Sequence, residues 1–374
     1  MHLFLFDLYI SIDNLVPIVK TINPKKTIIC NINPIQNYKK NKLVNYIIDK
    51  GSIYHDYLPL EFSRLIQFVI LKLILFLPCK ILGKLDFIWH YIYKSYFFSS
   101  ERKIEKLLIL NKIKTITFEE SAPSMIVSVF YKIAKKHNIT VINMSSGLRT
   151  IKGRKLSKDK LKYCDYYIAQ NKARGEKKNE IKFGQIKYFG SLRYSDIWFK
   201  SLKFFYSNKV KKTRKIKIAL LKKFSSKERH QVNKLAEILS SNKDYSVKSR
   251  EKPRDINPLK CAKFNNDEFT TSQLIDWCDV IITARSSSVL VEAAIKNKKI
   301  ILLEYLNSTL HTSGIYKYRL ILKAKKFSEI DYLIKKEQNN NIYERRKFIN
   351  KYLIDYFNYQ KLKKNYVNFY EINS

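Results

Sequence analysis

Residues 279 to 304 constrain this chain more than any other stretch: Asp-Val-Ile-Ile-Thr-Ala-Arg-Ser-Ser-Ser-Val-Leu-Val-Glu-Ala-Ala-Ile-Lys-Asn-Lys-Lys-Ile-Ile-Leu-Leu-Glu. The apolar runs Val280 to Thr283 and Ile300 to Leu303 read as strands buried on both faces, with a serine turn and a short helix between them. Parallel strands need such a crossover, so the unit is βαβ and belongs to an α/β sheet. Serine is also an ordinary N-cap, which accounts for one hydroxyl but not for Ser286, Ser287 and Ser288 together. Hydroxyls and free backbone N–H groups at a helix start suit a phosphate. Glu292, in the first turns of the helix, suits either the dipole or a ribose diol. Together they describe a pocket for a nucleotide diphosphate.

The alternation of short apolar runs with longer amphipathic ones continues along most of the chain. It predicts first-half strands over Leu3 to Leu8, Thr27 to Ile32, Thr115 to Phe118, Thr140 to Asn143, Tyr166 to Ala169 and Ile186 to Phe189. Helices are predicted over residues 62–97, broken at Pro78, and over 101–110 and 123–137. A lysine-dense stretch, 203–215, precedes a second set of strands over Ile216 to Leu220, Tyr245 to Lys248, Val280 to Thr283 and Ile300 to Leu303. Helices fall at 227–239, around 272–278 and from Phe327 onward. The fold class this implies is α/β, two doubly wound Rossmann-like lobes (1–205 and 206–374) facing a central cleft, with a helical tail that crosses back onto the first lobe.

A formal net charge of +40 points to an anionic partner. The lysines are spread along the whole chain, and no RNA- or DNA-binding motif accompanies them, so an acidic membrane surface or a phosphorylated substrate is expected and nucleic acid is not. Five widely separated cysteines and six histidines without metal-ligand spacing argue for reduced thiols and against a zinc site. Met1 to Ile10 lacks a basic leader and carries Asp7, so it reads as a first strand, and a cytoplasmic protein is expected. Leu65 to Leu77 is too short to span a bilayer. With Arg64, Lys80, Lys84, Trp89, Tyr91 and Tyr93 around it, it suits either a helix lying on the inner face of the membrane or a core helix.

Four segments carry a resemblance: Tyr163 to Gln170, Phe189 to Trp198 with its Gly-Ser-Leu-Arg-Tyr, Val247 to Arg254, and Asp279 to Leu303. Over residues 113 to 310 the chain resembles bacterial surface-carbohydrate and capsule biosynthesis glycosyltransferases of the GT-B architecture. That group is related to the glycerophosphotransferases of teichoic-acid synthesis and, more distantly, to sugar-nucleotide 2-epimerases. The resemblance implies an acceptor-side first lobe and a nucleotide-donor-binding second lobe. It implies Ser286, Ser287 and Ser288 on the diphosphate, Glu292 on the ribose, and Lys222 and Lys223 on a phosphate-contacting loop.

The basic turn Lys248, Arg250, Lys252, Pro253 and Arg254 resembles a Lys-x-His-Pro element with Lys252 in place of the histidine; Arg250 suits a bidentate phosphate contact. Ser146 replaces the histidine of a Gln-His-Gly turn, and a serine hydroxyl cannot serve as the base. The role passes to Glu119 or Glu120, which end a strand and precede Pro123; a helix-capping acid explains one of them equally well. Arg193 either clamps a phosphate or acceptor carboxylate or bridges the lobes, and His311 lies near the pocket in sequence.

The expected activity is metal-independent transfer of a sugar from a nucleotide donor to a glycan or lipid-linked acceptor of a growing cell-surface polysaccharide. Sugar-nucleotide 2-epimerase-like isomerisation and glycerophosphate transfer are the alternatives. No cofactor is expected, the activated donor being a substrate.

Overall fold

The computed structural model describes residues 1–7, 9–32, 38–56, 101–145, 161–171, 185–205, 215–221, 226–250, 271–284, 289–306, 318–337, 341–353 and 355–373. The amino-terminal half builds seven strands: β1 (His2–Phe6), β2 (Thr27–Asn31), β3 (Ile53–His55), β4 (Thr115–Glu119), β5 (Thr140–Met144), β6 (Tyr166–Ala169) and β7 (Gln185–Tyr188). They form one sheet in the order β3-β2-β1-β4-β5-β6-β7, with every pair parallel. The carboxyl half contributes β8 (Ile216–Leu221), β9 (Tyr245–Arg250), β10 (Val280–Thr283), β11 (Lys299–Leu303) and β12 (Ile321–Ala324), parallel in the order β12-β11-β10-β8-β9. Each order reverses once, between β1 and β4 in the first sheet and between β8 and β10 in the second. In doubly wound sheets ligand crevices open at such reversals, beyond the strands' carboxyl ends.

Burial on both faces explains the unbroken apolar runs. Leu3, Leu5, Ile116, Phe118 and Val141 pack against α3 (Glu101–Leu110) and α4 (Ser124–Lys136). Their neighbours Phe4, Phe6, Ile29 and Ile142 face the other way, toward α1 (Tyr9–Ile22) and α2 (Lys42–Asp49). In the second lobe Ile218, Leu220, Val280, Ile282 and Ile301 meet α6 (Ser226–Ser241). Ala219, Ile281, Ile300 and Leu302 share the opposite face with α7 (Thr271–Trp277) and α8 (Val289–Ile295). That last core does not stop at the lobe boundary: it continues into Tyr194, Trp198, Phe199 and Leu202, the latter three on α5 (Asp196–Phe205).

After α9 (Glu329–Lys335), α10 (Ile342–Tyr352) packs on α8, and α11 (Tyr359–Ile372) returns to the first lobe against α1. Tyr366 there donates to the Gly190 carbonyl at 2.8 Å, and the Tyr370 hydroxyl pairs with Thr117 Oγ1 at 2.8 Å. Phe369 meets the rings of Tyr166 and Phe189 edge-on.

The helices α1, α2 and α5 and the edge strands β3 and β12 depart from the sequence expectation. β1 ends at Phe6, and α1 begins two residues after Asp7, running through Pro17. The two short strands β3 and β12 sit at sheet edges, where brief runs carry little periodicity. Residues 62–97, including Leu65 to Leu77, lie outside the described residues. Among those described, no helix is long and apolar enough to cross a membrane.

Candidate active site

β1 and β4 end side by side at the first lobe's reversal, and the chain places polar groups on both. Glu119 closes β4; Ser11, Asp13 and Asn14 lie on the first turns of α1, where helical side chains lean back toward the amino end and so toward the crevice. Ser11 Oγ and Ser121 Oγ each donate to Glu119 Oε2 at 3.2 Å, and Asn14 Nδ2 donates to Oε1. Gln170, just past β6, extends the network by donating to Asn14 Oδ1 at 3.4 Å and to the Ser145 carbonyl at 2.9 Å.

The Glu119 side chain is 1% exposed. Burial disfavours its charged form more than the three donors and nearby Arg193 favour it, and its pKa rises to about 7. A carboxyl group tuned to neutrality is able to take a proton from a hydroxyl and return it. Glu120 occupies a different setting: partly exposed, it accepts a 2.6 Å hydrogen bond from Tyr167. The structure therefore separates the adjacent acids, Glu119 into the crevice network and Glu120 onto the Tyr167 hydroxyl.

Arg193 stands where the lobes meet. The Gly190–Tyr194 turn after β7, with Gly190 at φ 83°, a conformation natural only to glycine, swings its guanidinium inward. Nη2 lies 3.3 Å from Asp13 Oδ2 in the first lobe and 3.9 Å from Glu292 Oε2 in the second. Glu292 is 0% exposed. Its Oε1 accepts from Ser272 Oγ and sits 3.0 Å from Lys296 Nζ, one helical turn on. Burial pushes the Glu292 carboxyl up, but Lys296, Arg193 and Ser272 outweigh it and hold it below the usual carboxylate range. In the arrangement seen, this carboxylate is enclosed by Ser272, Lys296 and Arg193.

At the second reversal, β8 and β10 end together, Leu221 opposite Thr283. The segments that leave them, with Lys222, Lys223, Ser286, Ser287 and Ser288, lie outside the described residues, as do Ser146, Lys252, Pro253, Arg254 and His311. Arg250 ends β9 in register with Leu221, and its side chain is likewise outside the described set. Lys248, on β9, holds its ammonium 4.5 Å from the centre of the Trp277 ring, and burial lowers its pKa. Sequence reasoning passed over Asp13, Asn14, Gln170, Ser272 and Lys296. A polar cluster directly after a buried first strand was the available signal, but Pro17 masked the helix that presents it.

No protein-family profile and no curated protein matches the sequence. Among solved structures, the glycotransferase of kitacinnamycin superposes over 100% of this chain and 98% of its own at 7% identity, TM-score 0.54. LpCGTa in complex with UDP gives 8% identity, 99% coverage of both chains and a TM-score of 0.54. A UDP-N-acetylglucosamine 2-epimerase gives 14% identity, 97% and 94% coverage and a TM-score of 0.53. Likeness at this level of identity establishes the fold, two Rossmann-like lobes in the GT-B arrangement.

Proposed function

We propose that this chain is a glycosyltransferase that moves a sugar from a nucleotide donor to an acceptor hydroxyl of a growing cell-surface polysaccharide, such as capsule or lipopolysaccharide, at the inner face of the membrane and without a metal. The observation that carries the reading is Glu119: a fully buried carboxyl group at the first lobe's strand reversal, with a pKa near 7, linked electrostatically through Arg193 to the second lobe. A hydroxyl acceptor seated in that crevice meets a base matched to neutral pH, while the donor's diphosphate belongs with the serine turn, Lys222, Lys223 and Arg250 at the second reversal. Lobe closure then excludes water from the transfer. The solved neighbours described as a glycotransferase and as bound to UDP share the fold, and the latter supports a nucleotide donor.

Calorimetry against UDP, GDP, CDP and CMP tests the donor half. One nucleoside diphosphate is expected to bind selectively, and replacing Ser286, Ser287 and Ser288 together with alanine is expected to abolish that binding; equal affinity in the variant defeats the assignment. The likeness to a 2-epimerase favours a second reading, isomerisation of a nucleotide sugar at the same site. Incubation with the nucleotide sugar alone separates the two, because an epimerase turns over without acceptor and a transferase does not. Glycerophosphate transfer, suggested by the resemblance to teichoic-acid enzymes, releases a nucleoside monophosphate where sugar transfer releases a diphosphate, so product analysis separates the two.

A further inference from the structure

Five side chains form an interlocked bridge between the lobes. From the first lobe, Arg193 reaches across to Glu292 at 3.9 Å while its other partner, Asp13, holds it from behind at 3.3 Å. From the second lobe, Lys296 reaches back, its ammonium 4.5 Å from the centre of the Phe199 ring on α5 and 3.0 Å from Glu292. Lys296 is further held by Asp276 at 3.1 Å and by the Ser272 carbonyl at 2.9 Å. The Arg193, Lys296 and Glu292 side chains are 7%, 8% and 0% exposed.

We infer that Arg193 is a positioning residue: it pins helix α8 to the first lobe through Glu292, with Lys296 and Phe199 as the return contact. Charge bookkeeping supports the direction of the effect. Without the guanidinium, Asp13 on one lobe and Glu292 on the other face each other as carboxylates across a buried boundary, Lys296 remaining beside Glu292 but no cation between the two, and repulsion there is weakly screened. Glu292 Oε2 has no hydrogen-bond partner among the described residues and faces Arg193, while Lys296 holds Oε1. The pin therefore fixes the spacing between the Glu119 crevice and the donor half of the cleft.

Small-angle scattering of the whole chain tests this, with unfolding midpoints from the same preparations. Arg193→Met is expected to enlarge the radius of gyration as the lobes part, and adding Glu292→Gln is expected to restore compactness in part, because the repelling charge is gone. A residue that merely fills space gives additive losses. Unchanged scattering in Arg193→Met, or additive losses in the double variant, overturns the proposal. If Arg193→Met does not fold, Arg193→Gln with and without Glu292→Gln carries the same comparison, since glutamine keeps a polar head but removes the cation that Asp13 and Glu292 share. The link to the donor rests on the function proposed above and is read separately: affinity in Arg193→Met for whichever of UDP, GDP, CDP and CMP the wild type binds is expected to fall roughly tenfold. Failure of the wild-type protein to bind any of UDP, GDP, CDP and CMP defeats the donor reading and leaves the scattering result to decide the pin.

Discussion

The buried Glu119 carboxyl group predicts a specific pH dependence of stability. Its folded pKa, about 7, lies above the reference value of 4.5, so the folded state binds the extra proton between those values. Stability contributed by this group is complete below the unfolded pKa and is lost as pH rises through the folded one. Integrating between pH 5 and pH 8 gives a loss of about 2 kcal/mol from this single group. Glu119→Gln keeps the shape and removes the titration. It carries its own pH-independent cost, because its amide NH2 confronts one of the donors Ser11, Asn14 or Ser121. The comparison is therefore one of slopes. Urea midpoints of wild type and Glu119→Gln, followed by tryptophan fluorescence at pH 5, 6, 7 and 8, are expected to converge as pH rises, the wild type losing its advantage. Parallel profiles across that range refute the claim that desolvation dominates at Glu119, and with it the argument for a base tuned to neutrality.

Three further outcomes follow from packing and charge. His2, whose pKa falls to about 4 through burial and then through the nearby terminal ammonium and Lys26, makes stability decline as pH drops from 6.5 toward 4; His2→Gln is expected to flatten that acid limb by about 2 kcal/mol in equilibrium unfolding. Tyr366→Phe leaves the Gly190 carbonyl without its 2.8 Å donor at the turn that aims Arg193, and is expected to cost about 1 to 2 kcal/mol by urea midpoint. Phe348→Ala empties a fully buried position between Tyr318 and Tyr352, their ring centres 4.9 and 5.0 Å away, and is expected to cost about 3 to 5 kcal/mol by thermal or chemical unfolding.

Much of the architecture was legible in residue order. Apolar runs buried on both faces, such as Leu3 to Phe6 and Ile300 to Leu303, announce parallel strands, and ten strands stand within two residues of where the pattern puts them. The helix α1 was not legible, because an interior proline argues locally against a helix, whereas packing of Leu15, Val16 and Val19 on the sheet decides for one. The edge strands β3 and β12 were equally hidden, three and four residues long.

Periodicity and turn chemistry are local, and they suffice to establish two parallel sheets and a βαβ unit with a polar turn. The meeting of Glu119 with Ser11 and Asn14, more than a hundred residues earlier, is not local, nor is the reach of Arg193 to Glu292. Those contacts arise because strand order brings distant loops to one sheet edge and the shared core presses the lobes together. Burial, which lifts one carboxyl group to neutrality and leaves the other ionised beside two cations, exists only once that packing is complete.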